Sequence, residues 1–231
     1  MIRNLRDLGG ITTAAGQQIK KGFLVRSANL SETEEEDLTG ISAVIDLRTT
    51  RERNEGPDRL FGRPSIPIPI FDEVKDGISH ERRRERKGPP DMGSLYIWMM
   101  RDHRESFARA LRTIMNHDFS SGAILWHCTE GKDRCGMTTA LLLELLGVER
   151  STIMEDYLKT NVTSIPRAES IRERVRQEHG DEAAEGVYRA FIADPAYLEG
   201  AWNVMDEIPD FFDEIGITQE EIDAFRKLVL E

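Results

Sequence analysis

The chain has 231 residues, 39% of them hydrophobic and 32% charged, with a formal net charge of −11. Such a composition suits a soluble globular protein with a real core, and the negative balance argues against nucleic acid as a partner of the whole chain. No run approaches the roughly 18 apolar residues that a membrane span needs. The opening MIRNLRDLGG has no apolar stretch of signal-peptide length, so a cytoplasmic location is expected, with export lacking a cleavable signal left open. Two cysteines seven positions apart, Cys128 and Cys135, make neither a disulfide framework nor a zinc-ligand pattern. No metal and no cofactor is expected, and at least one cysteine is a candidate for reactivity in a reducing compartment.

In chain order, turns around Gly9, Gly10 and Gly16 lead to a strand-like piece at residues 23–26. Ser31 with Glu34 reads as a capping box for a short helix ending at Gly40. Residues 42–48, SAVIDLR, have the short β-branched apolar character of a buried parallel strand. Residues 65–71 carry Pro67 and Pro69, which predicts an edge strand or an extended segment outside the sheet. Residues 80–92 are charged and then broken by KGPPD, so a lid or insertion is expected over about 72–104. Helical spacing marks residues 95–115. Residues 122–127, GAILWH, make the best strand, followed by a polar loop and an apolar helix at 136–146. The remainder reads as helical, at 152–160, 165–179, 181–193 and from 197 onward. This order predicts one α/β domain over 1–231, with a central, mostly parallel sheet flanked by helices and a helical C-terminal half.

The stretch His127-Cys128-Thr129-Glu130-Gly131-Lys132-Asp133-Arg134 lies between the best strand and the best helix. A strand-to-helix loop turns several backbone N–H groups toward one concavity, which favours an anion. Gly131 permits a turn that a Cβ would hinder. Cys128 at the loop's mouth is exposed to the same positive potential, which favours a nucleophilic thiolate. Arg134 can present a planar fork to two phosphate oxygens, with Lys132 as a further point charge and His127 behind the cysteine. Nucleophile, anion cradle and transition-state clamp are thereby supplied without a metal. Thr129, Glu130, Gly131, Lys132 and Cys135 are the expected substrate-binding positions.

HCTEGKDRCG resembles the signature loop of protein tyrosine and dual-specificity phosphatases, and its Gly-Lys-Asp-Arg ending is similar to bacterial tyrosine/lipid phosphatases of broad specificity. NLRDLGG at 4–10, GFLVRSANL at 22–30, IDLR at 45–48 and DYLKTN at 156–161 resemble other blocks of that family. The resemblance implies the phosphatase α/β fold and hydrolysis of phosphate monoesters through a phosphocysteine on Cys128. It also implies that Asp133 is the general acid, since no Trp-Pro-Asp tripeptide is present to supply one; Asp72, Asp91 and Asp102 are rivals on or near the expected lid.

Cys135 stands where the signature usually has Ser or Thr, which predicts slower cleavage of the phosphocysteine; a resolving thiol and a harmless replacement are the other readings. Asp46 and Arg48 either line the site or form a buried ion pair that fixes the loop, and Arg26 and Asn161 are supporting candidates. The implied substrates are phosphoprotein, as phosphotyrosine with phosphoserine and phosphothreonine as further candidates, and phosphoinositide, and the sequence permits protein and lipid without choosing between them. Lys132 and the basic run Arg82-Arg83-Arg84-Arg86-Lys87 would serve a multiply phosphorylated head group and contact with an anionic membrane, although such a run also suits a solvated face. Sulfurtransferase and arsenate reductase readings use a cysteine at the same loop position but do not account for Lys132 and Arg134 together with the rest of the chain, and a non-catalytic phosphate-binding module would typically have lost Cys128 or Arg134, both of which are present.

Overall fold

The computed structural model describes residues 2–72 and 91–231. The basic run Arg82–Lys87 and residues 73–90 of the expected lid lie outside the described residues. The apolar runs at 23–26, 42–48 and 122–127 form the centre of a five-stranded sheet. Its strands are β1 (Arg6–Asp7), β2 (Leu24–Ser27), β3 (Ile41–Asp46), β4 (Ser65–Pro67) and β5 (Ala123–His127), in the order β1-β2-β5-β3-β4. Only β1 runs antiparallel to its neighbour. Every residue of β2 and β5 is buried, as parallel strands covered on both faces require.

Side chains alternate between those faces. Ile124 and Trp126 join the large core built with the helices, while Ala123 and Leu125 pack against Val25, Val44, Leu30 and Leu38 in a thinner layer. The helices are α1 (Thr50–Glu55), α2 (Met92–Asp102), α3 (Arg104–Met115), α4 (Asp133–Leu145), α5 (Arg150–Leu158), α6 (Asn161–His179), α7 (Asp181–Phe191), α8 (Pro195–Asp206), α9 (Phe211–Glu214) and α10 (Gln219–Val229). The mostly parallel, helix-flanked sheet and the helical C-terminal half are therefore as the sequence predicts.

Local departures have local causes. Ser31 does not cap a helix: its hydroxyl donates to Asn29, and a single 3-10 turn at Glu35–Leu38 begins after Glu34. The helix expected over 95–115 is two helices, parted at His103 (φ −125°, ψ 18°), whose ring lies 4.3 Å from that of Trp98. α4 starts at Asp133 rather than 136, which moves Asp133 and Arg134 out of the loop into the first helical turn. β4 stops at Pro67, on the sheet edge, where a residue without an N–H is tolerated.

Candidate active site

The register of the three central strands places Ser27, His127 and Asp46 in one row at their carboxyl ends, where α/β sheets place ligands. Cys128 is the next residue along the chain and is buried. The loop after it docks on the end of β2. Gly131 has φ +65°, and a Cβ there would lie 2.5 Å from the Ser27 carbonyl oxygen and 2.7 Å from Ala28 N. Both the backbone conformation and the contact exclude a side chain.

The loop's carbonyls are held from outside. Gly131 O accepts from Arg26 Nη2 (2.7 Å) and Asn4 Nδ2 (2.8 Å), and Thr129 O accepts from Asn29 N and Nδ2 (3.2 Å each). In a trans peptide the N–H points opposite to its C=O. The N–H groups of Glu130 and Lys132 therefore turn away from those donors, next to the N-terminus of α4. Arg26 itself is buried between strand and loop, paired with Asp156 at 3.0 Å, and Arg6 holds the same carboxylate at 2.7 Å. Burial opposes ionisation of Asp156, but the two arginines outweigh it and hold this carboxyl below its ordinary range.

Arg134 is paired end-on with a residue that sequence reasoning missed. Its Nη1 donates to Glu52 Oε2 (2.5 Å) and its Nη2 to Glu52 Oε1 (2.7 Å), while the Thr129 hydroxyl also donates to Oε1. The Phe71 ring centre lies 5.2 Å from the guanidinium carbon. Burial works against charge on both partners, yet the hydrogen bonds between them prevail: Glu52 is held well below the carboxylate range and Arg134 is pushed up. Glu52 is fixed by a capping box, with Thr49 N donating to Oε2 (2.8 Å) and Glu52 N to Thr49 Oγ1 (3.2 Å). The Thr-x-x-Glu spacing directly after IDLR was the signal available for it.

Behind the cysteine, Asp46 and Arg48 form the buried ion pair of the two readings offered above. Arg48 donates to Asp46 through Nε (2.9 Å) and Nη2 (2.7 Å) and to Asp58 at 2.6 Å. His127 Nε2 is 3.2 Å from Asp58 Oδ2. Burial raises the Asp58 carboxyl, and His127 and Arg48 more than reverse this. Asp46, Asp58 and His127 are close enough for a metal, but the guanidinium already supplies the cation that both carboxylates bind.

The remaining expected site residues divide. Asp133 accepts from Tyr96 OH (2.9 Å), and Lys132 Nζ is 3.2 Å from it. Burial pushes the Tyr96 phenol well up, so it acts as a donor, and the Tyr157 phenol lies 2.8 Å beyond it. Lys132 is buried and donates to the carbonyls of Ala190 (2.6 Å) and Ile192 (3.0 Å) at the end of α7. Glu130 faces outward and draws in Arg3 (2.8 Å) and Arg167 (2.5 Å). Cys135 lies fully buried in α4 with Sγ 3.7 Å from Trp126 O, and burial pushes its thiol up to about 11.

Of the rival acids, Asp72 is buried and accepts from Thr50 N (3.1 Å) and Oγ1 (2.6 Å). Asp91 caps α2, and its hydrogen bonds to Ser94 lower its pKa. Asp102 is exposed near the end of α2. Asn161 does not reach the loop; it exchanges hydrogen bonds with Ala193 (2.8 and 2.7 Å).

The family described as "Tyrosine phosphatase family" matches over residues 1–231. The chain belongs to the tyrosine phosphatase family. This tyrosine phosphatase is 31% identical over 171 residues to a Cupriavidus necator protein assigned to the tyrosine-protein phosphatases, covering 69% of this chain and 61% of that protein's length. It is 28% identical, over a 270-residue alignment, to the triple specificity protein phosphatase PtpB of Mycobacterium tuberculosis, covering 98% of this chain and 96% of that protein. Among solved structures, TpbA of P. aeruginosa aligns with 80% of this chain and 90% of its own, at 14% identity and a TM-score of 0.40. No helix among the described residues is long and apolar enough to cross a membrane.

Proposed function

We propose that this tyrosine phosphatase hydrolyses phosphotyrosine on proteins through a phosphocysteine on Cys128. The observation that supports this best is the docking of Gly131 on Ser27, which brings Cys128, the loop N–H groups and Arg134 to one end of the sheet. In the first step the Cys128 thiolate attacks phosphorus and the P–O ester bond breaks. The departing phenolic oxygen takes the proton of Asp133. In the second step water attacks phosphorus, its proton goes to the Asp133 carboxylate, and the S–P bond breaks to return thiolate and inorganic phosphate. Arg134 and the loop N–H groups bind the equatorial oxygens throughout.

A second reading extends the substrates to phosphoserine, phosphothreonine and phosphoinositides. It rests on Arg3 and Arg167, whose side chains are 42% and 41% exposed while sharing the Glu130 carboxylate. Both could meet additional phosphates of a head group, and Arg82–Lys87 would add membrane contact.

Turnover of a phosphotyrosine peptide and of phosphoinositide monophosphates is measured side by side in a chelator, with wild type and Cys128→Ser. Loss of turnover in Cys128→Ser supports the mechanism. Activity that survives there, or that needs added metal, contradicts it.

A further inference from the structure

We propose that Tyr96 is a positioning residue for the general acid: with Lys132 it occupies Oδ1 of Asp133 and so assigns the transferable proton to Oδ2. The inference rests on the reading of Asp133 as proton donor given above and adds to it a residue from α2, outside the signature loop.

Asp133 opens α4, and two donors reach its carboxyl from different parts of the fold. Tyr96 OH lies 2.9 Å from Oδ1, and Lys132 Nζ lies 3.2 Å from the same oxygen. A proton on Oδ1 would have to face both donors, whereas Oδ2 takes part in neither contact. The acid form of Asp133 therefore carries its proton on Oδ2. Exposure divides the roles in the same way. The Asp133 side chain is 21% exposed and open to a leaving group, while Tyr96 is fully buried and cannot meet one itself.

Tyr96 is held in its turn. Tyr157 OH lies 2.8 Å from Tyr96 OH, and burial pushes both phenols well up, so each keeps its single proton. The Tyr96 proton goes to Asp133, so the Tyr157 proton goes to the Tyr96 oxygen. The Tyr157 ring, from α5, meets that of Tyr96 edge-on at 6.3 Å. The Tyr197 ring, from α8, lies 5.7 Å from that of Tyr96 and 5.8 Å from the Lys132 ammonium. Three helices thus fix the donors on one carboxyl oxygen.

The contacts strengthen as the reaction proceeds. While the Oδ2 proton moves to the departing phenolic oxygen, negative charge develops on the Asp133 carboxylate, and fixed donors at Oδ1 stabilise it without rearranging. When water attacks the phosphocysteine, the carboxylate takes a proton back on Oδ2 with Oδ1 still held. The proton count closes over the two steps, and Tyr96 neither gains nor loses one. A hydroxyl that withheld Asp133 from acting as an acid, by binding its carboxylate before reaction, would have an effect of opposite sign. Without the hydroxyl, a positioned acid works more slowly and a withheld acid works faster.

The test measures kcat/KM, which reports the steps up to phosphocysteine formation, on a phosphotyrosine peptide and on dinitrophenyl phosphate. The first needs a proton on its leaving oxygen and the second does not. The proteins are wild type, Tyr96→Phe, Asp133→Asn and the double variant, each with its Tm; Tyr96→Phe keeps the ring and its packing. In Tyr96→Phe the expected kcat/KM is about 10-fold lower on the peptide and within about twofold of wild type on the dinitrophenyl ester. Adding Tyr96→Phe to Asp133→Asn should cause little further loss, because the hydroxyl acts through that carboxyl. An unchanged or raised value on the peptide, a fall of equal size on both substrates, or an undiminished further loss in the double variant overturns the proposal. If Tyr96→Phe does not fold, Lys132→Met removes the other donor on Oδ1 and must show the same dependence on leaving group; an equal loss on both substrates overturns the proposal there too. Failure of the acid reading is seen separately, because Asp133→Asn would then lower both substrates alike, and this inference falls with it.

Discussion

Gly131 and Ser27 meet backbone to backbone, so closely that a Cβ on Gly131 would lie 2.5 Å from the Ser27 carbonyl oxygen. The neighbouring β2 residue, Arg26, binds the Gly131 carbonyl at 2.7 Å. Strand and loop therefore share one rigid junction, and the shape of the anion cradle depends on it. Gly131→Ala would combine a left-handed φ of +65° with a backbone clash and is expected to cost about 1–3 kcal/mol or more. Thermal unfolding would read this as a lower Tm, and kcat would fall further than the loss of folded protein explains.

Asp156 is the shared anion of Arg6 and Arg26. Asp156→Asn leaves the buried Arg26 without its counter-charge, and removing one partner of a buried pair costs about 3–5 kcal/mol. Denaturant unfolding should show a loss of that order. Replacing the half-exposed Arg59, paired with Glu34 at the surface, should change stability by less than about 1 kcal/mol.

Stability should also depend on pH through Glu52. Its folded-state pKa lies below the unfolded value, with burial opposed and outweighed by the Arg134 hydrogen bonds. Its contribution is therefore complete above about pH 5 and is lost as pH falls toward the folded-state value. The gap in Tm between wild type and Glu52→Gln should be widest near about pH 6 and shrink by about pH 3. A gap that stays constant with pH would contradict the pairing.

The loop was legible in the sequence because its chemistry is local: Cys128, Gly131 and Arg134 lie within seven residues, between a strand and a helix that their apolar patterns mark. What was not legible depends on distant chain. Lys132 reads as a free point charge, but its ammonium lies on the Ala190 and Ile192 carbonyls, about sixty residues away. Asn4 binds the loop carbonyl of Gly131 from 127 positions back, and nothing in its immediate neighbours signals that. Glu52 was missed: its Thr49-x-x-Glu52 spacing signals no more than a helix cap, and its bond to Arg134 depends on how β3 and β5 are paired.

Cys135 is a poor candidate for a resolving thiol. Resolution needs its thiolate to attack an oxidised Cys128, and burial pushes this thiol up to about 11. Recovery after peroxide, read with a thiol reductant, should be the same in Cys135→Ser as in wild type. Loss of recovery in the variant would restore the resolving role.

Asp133 and Asp72 can be separated by leaving group. If Asp133 supplies the proton, Asp133→Asn should lower kcat on phosphotyrosine by about 100-fold or more and much less on an ester whose alcohol leaves unaided. Asp72→Asn, which breaks contacts to Thr50, should affect both substrates alike. The reverse pattern would transfer the acid to Asp72.

The central claim is a covalent bond between phosphorus and the Cys128 sulfur. Wild-type protein would be quenched in acid during turnover of a phosphotyrosine peptide, with chelator present, and its peptides mapped by mass spectrometry. The account predicts a phosphate adduct on Cys128 that is absent from Cys128→Ser. Turnover without any adduct, or an adduct on another residue, would contradict it.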